Sequence, residues 1–184
     1  MTDGFLPGTD RDLVKVFEKK HPFQEVFFET KVENLKVNKK SLSVSLKGKE
    51  KEQKKSFDAV LVAVGRTPNT KELGLDKIGI SPNEKGFIEV DLQRKTKHSH
   101  IYAIGDITGE PLLAHKASHE GRIAAEVIAG KKGAGYDPKV IPGIVFTNPE
   151  LAWCGLTETQ ANKENKKVEV LSLIHISEPT RLGM

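Results

Sequence analysis

The sequence has few residues of the kinds that carry redox chemistry. It contains one cysteine, one tryptophan and two tyrosines among 184 residues. Because a disulfide requires two thiols, the single Cys154 excludes an internal disulfide and a two-cysteine redox pair within this chain. The apolar neighbours of Cys154 favour a small buried residue over a reactive thiol.

Long apolar runs are also missing. No stretch approaches the roughly 20 apolar residues that cross a bilayer, and the first residues do not form a charged and then apolar secretory signal. We therefore expect no membrane association and a cytoplasmic location. The net charge of +4 comes largely from lysines in turns such as residues 47–55. Without a pattern of arginine and aromatic residues, these lysines predict a solvated surface and no binding of nucleic acid.

The periodicity of apolar residues predicts an α/β chain. Residues 9–20 predict a short helix that begins at a capping box of Thr9 and Asp12. Strand-like segments follow at residues 25–30, 32–37 and 41–46. Residues 57–64 (FDAVLVAV) are uniformly apolar and predict a strand buried on both faces, as in the middle of a layered α/β domain.

Residues 100–126 form the stretch around which the chain is organised. A short apolar strand is predicted at residues 100–104, Asp106 follows its end, and a helix begins near Leu113 and stops at Gly130. A helix start offers unpaired N–H groups and a positive dipole end. Together with a carboxylate, it suits the hydroxyl and anionic groups of a nucleotide cofactor. The alternative for Asp106 is a cap of the turn or helix.

A second turn with ligand-binding potential, GRTPN at residues 65–69, follows the apolar strand. Gly65 permits close approach of a ligand to the backbone, and Arg66 suits a phosphate or carboxylate. The pattern by itself favours the plainer alternative, a strand-ending turn with a surface arginine.

Other motifs predict loops. His98 and His100 have no carboxylate or cysteine at a metal-like spacing, which favours a surface loop over a ligand pair. The glycine-rich residues 130–135 (GKKGAG) lack a preceding strand, and Pro138 stands where a dinucleotide fingerprint needs its third glycine. A further short strand is predicted at residues 87–90.

The residue pattern of the sequence changes near residue 140, where we place a domain boundary. The elements predicted beyond it are short strands at residues 144–146 and 151–154, a helix capped by Thr157 with Gln160, and a strand at residues 168–176.

Several motifs, taken in order, resemble one family. They are FDAV, VGRTPN, GFIEVD, HIYAIGD, LLAHKASHEG and VIPGIVFTNPELAWCGLTE, which lie between residues 57 and 158, and the resemblance covers approximately residues 3–167. The ordered set resembles the pyridine nucleotide-disulfide oxidoreductases, and most of all their dihydrolipoamide dehydrogenases, the flavoproteins of the 2-oxo acid dehydrogenase complexes. The LAHKA segment favours these lipoamide enzymes over the glutathione and mercuric reductases.

The resemblance implies part of a flavoprotein fold with two dinucleotide-binding domains, α/β with an α+β C-terminal piece. On the family's map, residues 1–65 would be the C-terminal part of the NAD-binding domain, residues 66–139 the return segment of the FAD-binding domain, and residues 140–170 the start of the dimerisation domain. Residues 171–184 depart abruptly from the pattern, so we expect a non-native tail there. The chain is expected to be an internal fragment.

The resemblance also implies contacts with two cofactors, FAD and NAD. The implied ligands are Asp106 at the ribityl chain of FAD, Leu113, Ala114 and His115 at its isoalloxazine edge, and Gly65 and Arg66 beside NAD. No catalytic residue and no metal ligand is assigned. The sequence lacks the Cys-x4-Cys pair, the His-Glu pair and both GxGxxG motifs that the family's reaction requires.

The implied parent oxidises dihydrolipoyl groups and passes electrons through FAD to NAD. It would be a homodimer that works with the lipoyl domains of a 2-oxo acid dehydrogenase or glycine cleavage complex. We expect this chain alone to be inactive. The alternatives are a non-catalytic fragment that binds flavin or dimerises, and a piece of a sibling disulfide reductase of the mercuric or glutathione type.

Overall fold

The computed structural model describes residues 2–49 and 52–170 of the chain. The chain divides into two compact units. The first unit combines the described residues up to Leu61 with those from Pro142 onward, and the second unit is Val62–Ile141. Within the described residues, no helix is both long and apolar enough to cross a bilayer.

The C-terminal predictions fall partly beyond this description. The predicted non-native tail at residues 171–184 lies outside the described residues, as does most of the strand predicted at residues 168–176. Residues 168–170, which are described, belong to no strand.

The first unit mixes helices with antiparallel sheets. Its elements in chain order are α1 (Arg11–Glu18), β1 (Lys31–Val37), β2 (Leu42–Lys47), β3 (Glu52–Phe57), β4 (Gly143–Val145), β5 (Leu151–Trp153) and α3 (Glu158–Lys163). The first three strands form one sheet in the order β1-β2-β3, and the last two form a hairpin.

Helix α1 lies within the predicted range, but its predicted capping box is wrong. The N-cap is Asp10, which makes no side-chain cap bond. The carboxylate of Asp12 instead pairs with Lys15 at 2.9 Å, so it is not available to the N-cap. Val14 and Phe17, three residues apart, form the buried side of the helix, and Val16 is exposed.

The three-stranded sheet is built on β2. Its alternating apolar residues place Val44 in the core, and it pairs with β1 on one side and β3 on the other. Strand β3 was predicted as a charged turn because it has no apolar alternation. The backbone of residues 52–57 nevertheless pairs with β2, and this pairing forms the strand. Residues 25–30, predicted as a strand, form none, and Glu29 has φ +48, which interrupts an extended run.

The buried strand predicted at residues 57–64 is absent. Strand β3 ends at Phe57, and residues 58–64 join no ladder, with Leu61 91% and Val64 93% exposed. A strand of a parallel sheet needs neighbours on both edges and helices on both faces. Because the described residues supply no neighbour for this segment, its apolar pattern has no sheet in which to be buried.

The second unit contains one long helix, α2 (Ala114–Ile128), and two 3₁₀ turns, Leu75–Ile78 and Gly105–Thr108. The helix matches its prediction, and Gly130 stops it with φ +77. The amide of Lys131 donates to the carbonyl of Glu126, and the amide of Gly130 donates to that of Val127. These two bonds form a Schellman motif.

The core of the second unit is small, with Ile80, Ile88 and Ala103 at its centre. The strands predicted at residues 87–90 and 100–104 are not formed as ladders. Only an isolated bridge between Lys95 and Tyr102 is present in this region. Short apolar segments here are held by single backbone bonds and core packing rather than by sheet pairing.

The C-terminal part of the first unit confirms the two short predicted strands, which form β4 and β5, and overturns one other prediction. Thr157 and Gln160 form the predicted capping box at the start of α3. Cys154, predicted to be buried, is exposed. Strand β5 ends at Trp153, and Gly155 has φ +83, so Cys154 lies in a surface turn after the strand.

The β4–β5 hairpin provides a test of packing. Gly143 is paired with Trp153, and a Cβ added at Gly143 would lie 2.5 Å from Cζ2 of that indole. We expect Gly143→Ala to displace the ring and to lower the free energy of unfolding by about 1–3 kcal/mol. Since Trp153 is the only tryptophan, its fluorescence emission reports both effects during urea unfolding.

Gly135→Ala is the matched control for this experiment. A Cβ at Gly135 would lie 3.8 Å from the nearest atom, the carbonyl oxygen of Leu92, which is ordinary contact. Its emission spectrum should equal that of the unsubstituted chain. An unchanged spectrum for Gly143→Ala would contradict the close glycine–indole packing.

Candidate functional site

The second unit brings together residues from two separate predicted motifs. Asp106 lies in the 3₁₀ turn Gly105–Thr108, here called the Asp106 turn, and its side chain is 44% exposed. Arg66 Nη1 donates to Asp106 Oδ2 at 3.2 Å. Arg66 Nη2 donates to the carbonyl of Leu112 at 2.5 Å. One guanidinium therefore links the carboxylate to the residues just before helix α2.

Helix α2 begins next to this contact. Leu113 is its N-cap in an extended conformation and provides no side-chain cap bond. Ala114 and His115, the first helical residues, are exposed. The positive end of the helix dipole is therefore directed to the protein surface here, where it favours negative charge on a ligand.

Glycines allow the backbone at the site to approach other groups. Gly105 has φ +80, and a Cβ added there would lie only 3.2 Å from the Cβ of Ala117 in α2. Gly65 and Gly109 also have positive φ, and a Cβ at either would meet no atom within 4 Å. The first glycine permits tight packing of the Asp106 turn on the helix, and the other two leave open space beside the backbone.

A buried carboxylate lies beneath the Asp106 turn. Glu120, in the middle of α2, is 0% exposed. Its Oε2 accepts from the amide of Gly105 at 2.6 Å, and its Oε1 lies 3.0 Å from Arg94 Nη1 and 3.1 Å from Lys116 Nζ. The hydroxyl of Thr108 lies 3.2 and 3.3 Å from its two oxygens. We call Glu120, Arg94, Lys116 and Thr108 the Glu120 cluster.

Lys116 extends this network to the backbone carbonyls of the turn. Its ammonium is buried and donates to the carbonyls of Gly105 at 3.1 Å and Gly109 at 3.0 Å, and to the hydroxyl of Thr108 at 3.2 Å. Both peptide groups of Gly105 are thus bound by side chains of α2. The carbonyl of Ile107 accepts from the amide of Ile88 at 2.8 Å, which ties the turn to the core.

Sequence reasoning missed the Glu120 cluster. A Lys–Glu pair four residues apart on a helix is ordinarily a surface pair. The available signal was helical periodicity, because Ile123 and Ala124, at three and four residues from Glu120, are both buried. Lys116 and Glu120 therefore lie on the apolar face of α2, where a charge requires partners.

Arg94 and Tyr136 complete the surroundings of the carboxylate. Arg94 has φ +64, and its guanidinium lies 4.8 Å from the centroid of the Tyr136 ring. Arg94 Nε is buried without a hydrogen-bond partner among the described residues. Burial of Tyr136, and then the charge of Glu120, raise the pKa of its phenol, while Arg94 opposes the shift.

The raised pKa of Tyr136 gives a titration test. In Tyr102→Phe, where Tyr136 is the only tyrosine, the phenol should ionise above its ordinary pKa of 10.0 in the folded chain. The folded state then holds the proton more tightly than the unfolded state. The stability contribution is present below pH 10.0 and is lost as the pH rises through the raised pKa.

The ultraviolet absorbance of the phenolate measures this ionisation. The same titration in concentrated urea is the control and should return the ordinary value. Equal values in the folded and unfolded chains would show that the ring is not buried beside the carboxylate.

Metal ligation has no support in the described part of the chain. Within residues 2–49 and 52–170, no group of three or more His, Cys, Asp or Glu side chains is placed to hold a metal ion.

Curated relatives match most of the chain. It is 49% identical over 173 residues to the dihydrolipoyl dehydrogenase of Vibrio cholerae, which covers 92% of this chain and 36% of that protein. The dihydrolipoyl dehydrogenase of Haemophilus influenzae is 46% identical over 171 residues, with the same two coverages. The chain therefore spans about a third of the length of these relatives.

Solved structures share the fold. The copper(II) complex of the HOCl-induced flavoprotein disulfide reductase RclA from Escherichia coli superposes with a TM-score of 0.75 and 28% identity, covering 89% of this chain and 37% of that one. LpdA from Mycobacterium tuberculosis superposes with a TM-score of 0.77 and 26% identity, covering 89% and 35%. The predicted partial flavoprotein fold is confirmed.

Family patterns match in two parts. Residues 1–121 match the pyridine nucleotide-disulphide oxidoreductases, and residues 141–178 match the dimerisation domain of the same proteins. The cofactor contacts of individual residues and the domain limits set out from the sequence stay predictions. The resemblance seen in the ordered motifs is confirmed, and the chain belongs to the pyridine nucleotide-disulphide oxidoreductase family.

Proposed function

We propose that this chain supplies one wall of the FAD site of a dihydrolipoyl dehydrogenase. The observation that carries the proposal is the placement of Asp106, a half-exposed carboxylate on a turn that the buried Glu120 cluster fixes to helix α2. The sequence identity to dihydrolipoyl dehydrogenases supports this parent over a mercuric or glutathione reductase.

The groups present fit the chemistry of a flavin. A carboxylate accepts strong hydrogen bonds from hydroxyl groups, so Asp106 would bind the ribityl chain. The start of α2 at Leu113, Ala114 and His115 would lie at the isoalloxazine edge, where its positive dipole end favours negative charge. FAD, when bound, supplies the electron-transfer chemistry between thiols and a nicotinamide.

Arg66 would also take part in the flavin site, through its bond to Asp106. The bond from Arg66 to Asp106 joins two exposed side chains, and such pairs contribute only about 0–1 kcal/mol. A flavin hydroxyl can therefore replace it at little cost in free energy. The open space beside Gly65 supports the proposed contact of Gly65 and Arg66 with NAD. The engagement of the guanidinium by Asp106 and Leu112 favours the flavin side for Arg66.

The reaction of the parent protein is part of the proposal. The parent would oxidise dihydrolipoyl groups and reduce NAD, as a homodimer that acts on the lipoyl domains of a 2-oxo acid dehydrogenase or glycine cleavage complex. The match of residues 141–178 to the dimerisation domain supports the homodimer. We propose residues 1–65 as NAD-binding, 66–139 as FAD-binding and 140–170 as the start of the interface, in a cytoplasmic protein.

The flavin site can be tested by substitution at its carboxylate. We expect Asp106→Asn to weaken FAD binding by about tenfold or more, because a hydrogen bond to a charged group contributes about 1.5–3 kcal/mol. Equilibrium dialysis of the full chain against FAD measures the dissociation constant. Asp137→Asn, at an exposed aspartate of the same unit, is the matched control and should leave binding unchanged. Equal constants for the two variants would remove Asp106 from the site.

Activity of the chain by itself gives a separate test. Thiol oxidation through an enzyme disulfide requires two cysteines, and this chain has only Cys154. We expect no NADH when the FAD-treated chain is mixed with dihydrolipoamide and NAD, even where FAD is bound. Bound FAD without turnover supports a non-catalytic flavin-binding piece, and NADH formation at an enzymatic rate would overturn the assignment. An intact dihydrolipoyl dehydrogenase is the positive control.

A further inference from the structure

We infer that Glu120 is a positioning residue of the flavin site, one that holds the Asp106 turn so that the Asp106 carboxylate faces outward. Glu120 is fully buried and cannot reach a ligand on the surface. It acts through the backbone on either side of Asp106. The inference rests on the proposed function for its consequence in flavin binding, but the fixing of the turn can be measured without flavin.

The first step is the contact between Glu120 and the start of the turn. The amide of Gly105 donates to Glu120 Oε2 at 2.6 Å, a short bond to a charged acceptor. At the other end of the turn, the Thr108 hydroxyl donates to the carbonyl of Gly105 at 2.8 Å and lies beside both oxygens of Glu120. The carboxylate thus accepts a bond from the residue before Asp106 and lies next to the hydroxyl of Thr108, two residues after it.

The second step is the peptide group immediately before Asp106. The carbonyl of Gly105 belongs to the Gly105–Asp106 peptide, and it accepts from Lys116 Nζ at 3.1 Å. Lys116 is in turn paired with Glu120 at 3.1 Å. One ion pair therefore binds the N–H group of the Ile104–Gly105 peptide and the C=O group of the Gly105–Asp106 peptide, so both peptide planes at Gly105 are held, including the one that leads into Asp106.

The third step is the orientation of Glu120 itself. Arg94 and Lys116 both bind Oε1, so Oε2 is left directed to the amide of Gly105. A free carboxylate could rotate to exchange its oxygens, but here each oxygen has a different set of donors. The cations therefore set the direction of the carboxylate, and the carboxylate sets the turn.

Two substitutions at Glu120 test this role in the full chain. Glu120→Gln keeps the shape of the side chain but replaces one acceptor oxygen with an NH₂ group, which is a donor. This NH₂ group must face either the Gly105 amide or the two cations, and all of these are donors themselves. Glu120→Asp keeps the charge and can still pair with Arg94 and Lys116, but it is shorter by one methylene and cannot also reach Gly105. Ile123→Val, at a buried position of the same helix, is the control for a general loss of packing.

The readout is amide hydrogen exchange by NMR, given as the rate for Gly105 divided by the rate for Ala124 within α2. We expect this ratio to rise about tenfold or more in Glu120→Asp and Glu120→Gln, because a strong hydrogen bond is lost locally. Ile123→Val should leave the ratio unchanged even where both rates rise. If Glu120→Gln does not fold, Glu120→Asp decides the result.

The dissociation constant for FAD, measured by dialysis on the same samples, connects the turn to the site. It should rise in the two Glu120 variants and stay constant in Ile123→Val. An unchanged exchange ratio in Glu120→Asp would overturn the inference, as would a raised ratio with unchanged FAD affinity. Failure of the unsubstituted chain to bind FAD would reject the proposed function instead, and the exchange ratio would still decide whether Glu120 fixes the turn.

Discussion

The burial of the Glu120 carboxylate is the constraint on which the second unit depends. A charge removed from water is tolerated only with partners, and removing one partner of a buried ion pair costs about 3–5 kcal/mol. The partners here come from three parts of the chain: Arg94 before the Asp106 turn, the amide of Gly105 within it, and Lys116 on the same helix. One carboxylate therefore holds together segments that have no sheet between them.

Because of this constraint the site contains two kinds of contact, those of the Glu120 cluster, which are fixed, and the exposed pair of Arg66 and Asp106, which a ligand can replace. Glu120 and Lys116 are buried and the side chain of Arg94 is only 11% exposed, so water has little access to replace their bonds and the geometry of the Glu120 cluster is fixed. The pair formed by Arg66 and Asp106 lies above it in solvent, where exchange of one partner for another changes the free energy little. A ligand site needs both properties, because the ligand must displace existing contacts while the group that receives it stays in place.

Local signals in the sequence predicted much of the local structure, although the capping box expected at Thr9 and Asp12 is not formed. The capping box of Thr157 and Gln160 and the glycine stop at Gly130 are formed because each depends on residues within a few positions. Strands whose partners lie elsewhere could not be predicted in this way. Residues 57–64 have the composition of a buried strand without a neighbour to pair with, and β3 has no strand-like composition but has β2 beside it. Pairing, rather than composition, decided both outcomes.

The same distinction applies to the site. Asp106 and the start of α2 were predicted as cofactor ligands from the strand end, the helix start and the ordered motifs, whereas no role was predicted for Glu120 and Lys116. Asp106 and Glu120 carry the same charge, so charge alone does not indicate that Asp106 is exposed and Glu120 is buried. What separates them is register, because Glu120 shares a helical face with Ile123 and Ala124. A carboxylate on an apolar face needs partners, and beyond Lys116 on its own helix these come here from other segments. That compensation is what brings Arg94 and the Asp106 turn to α2.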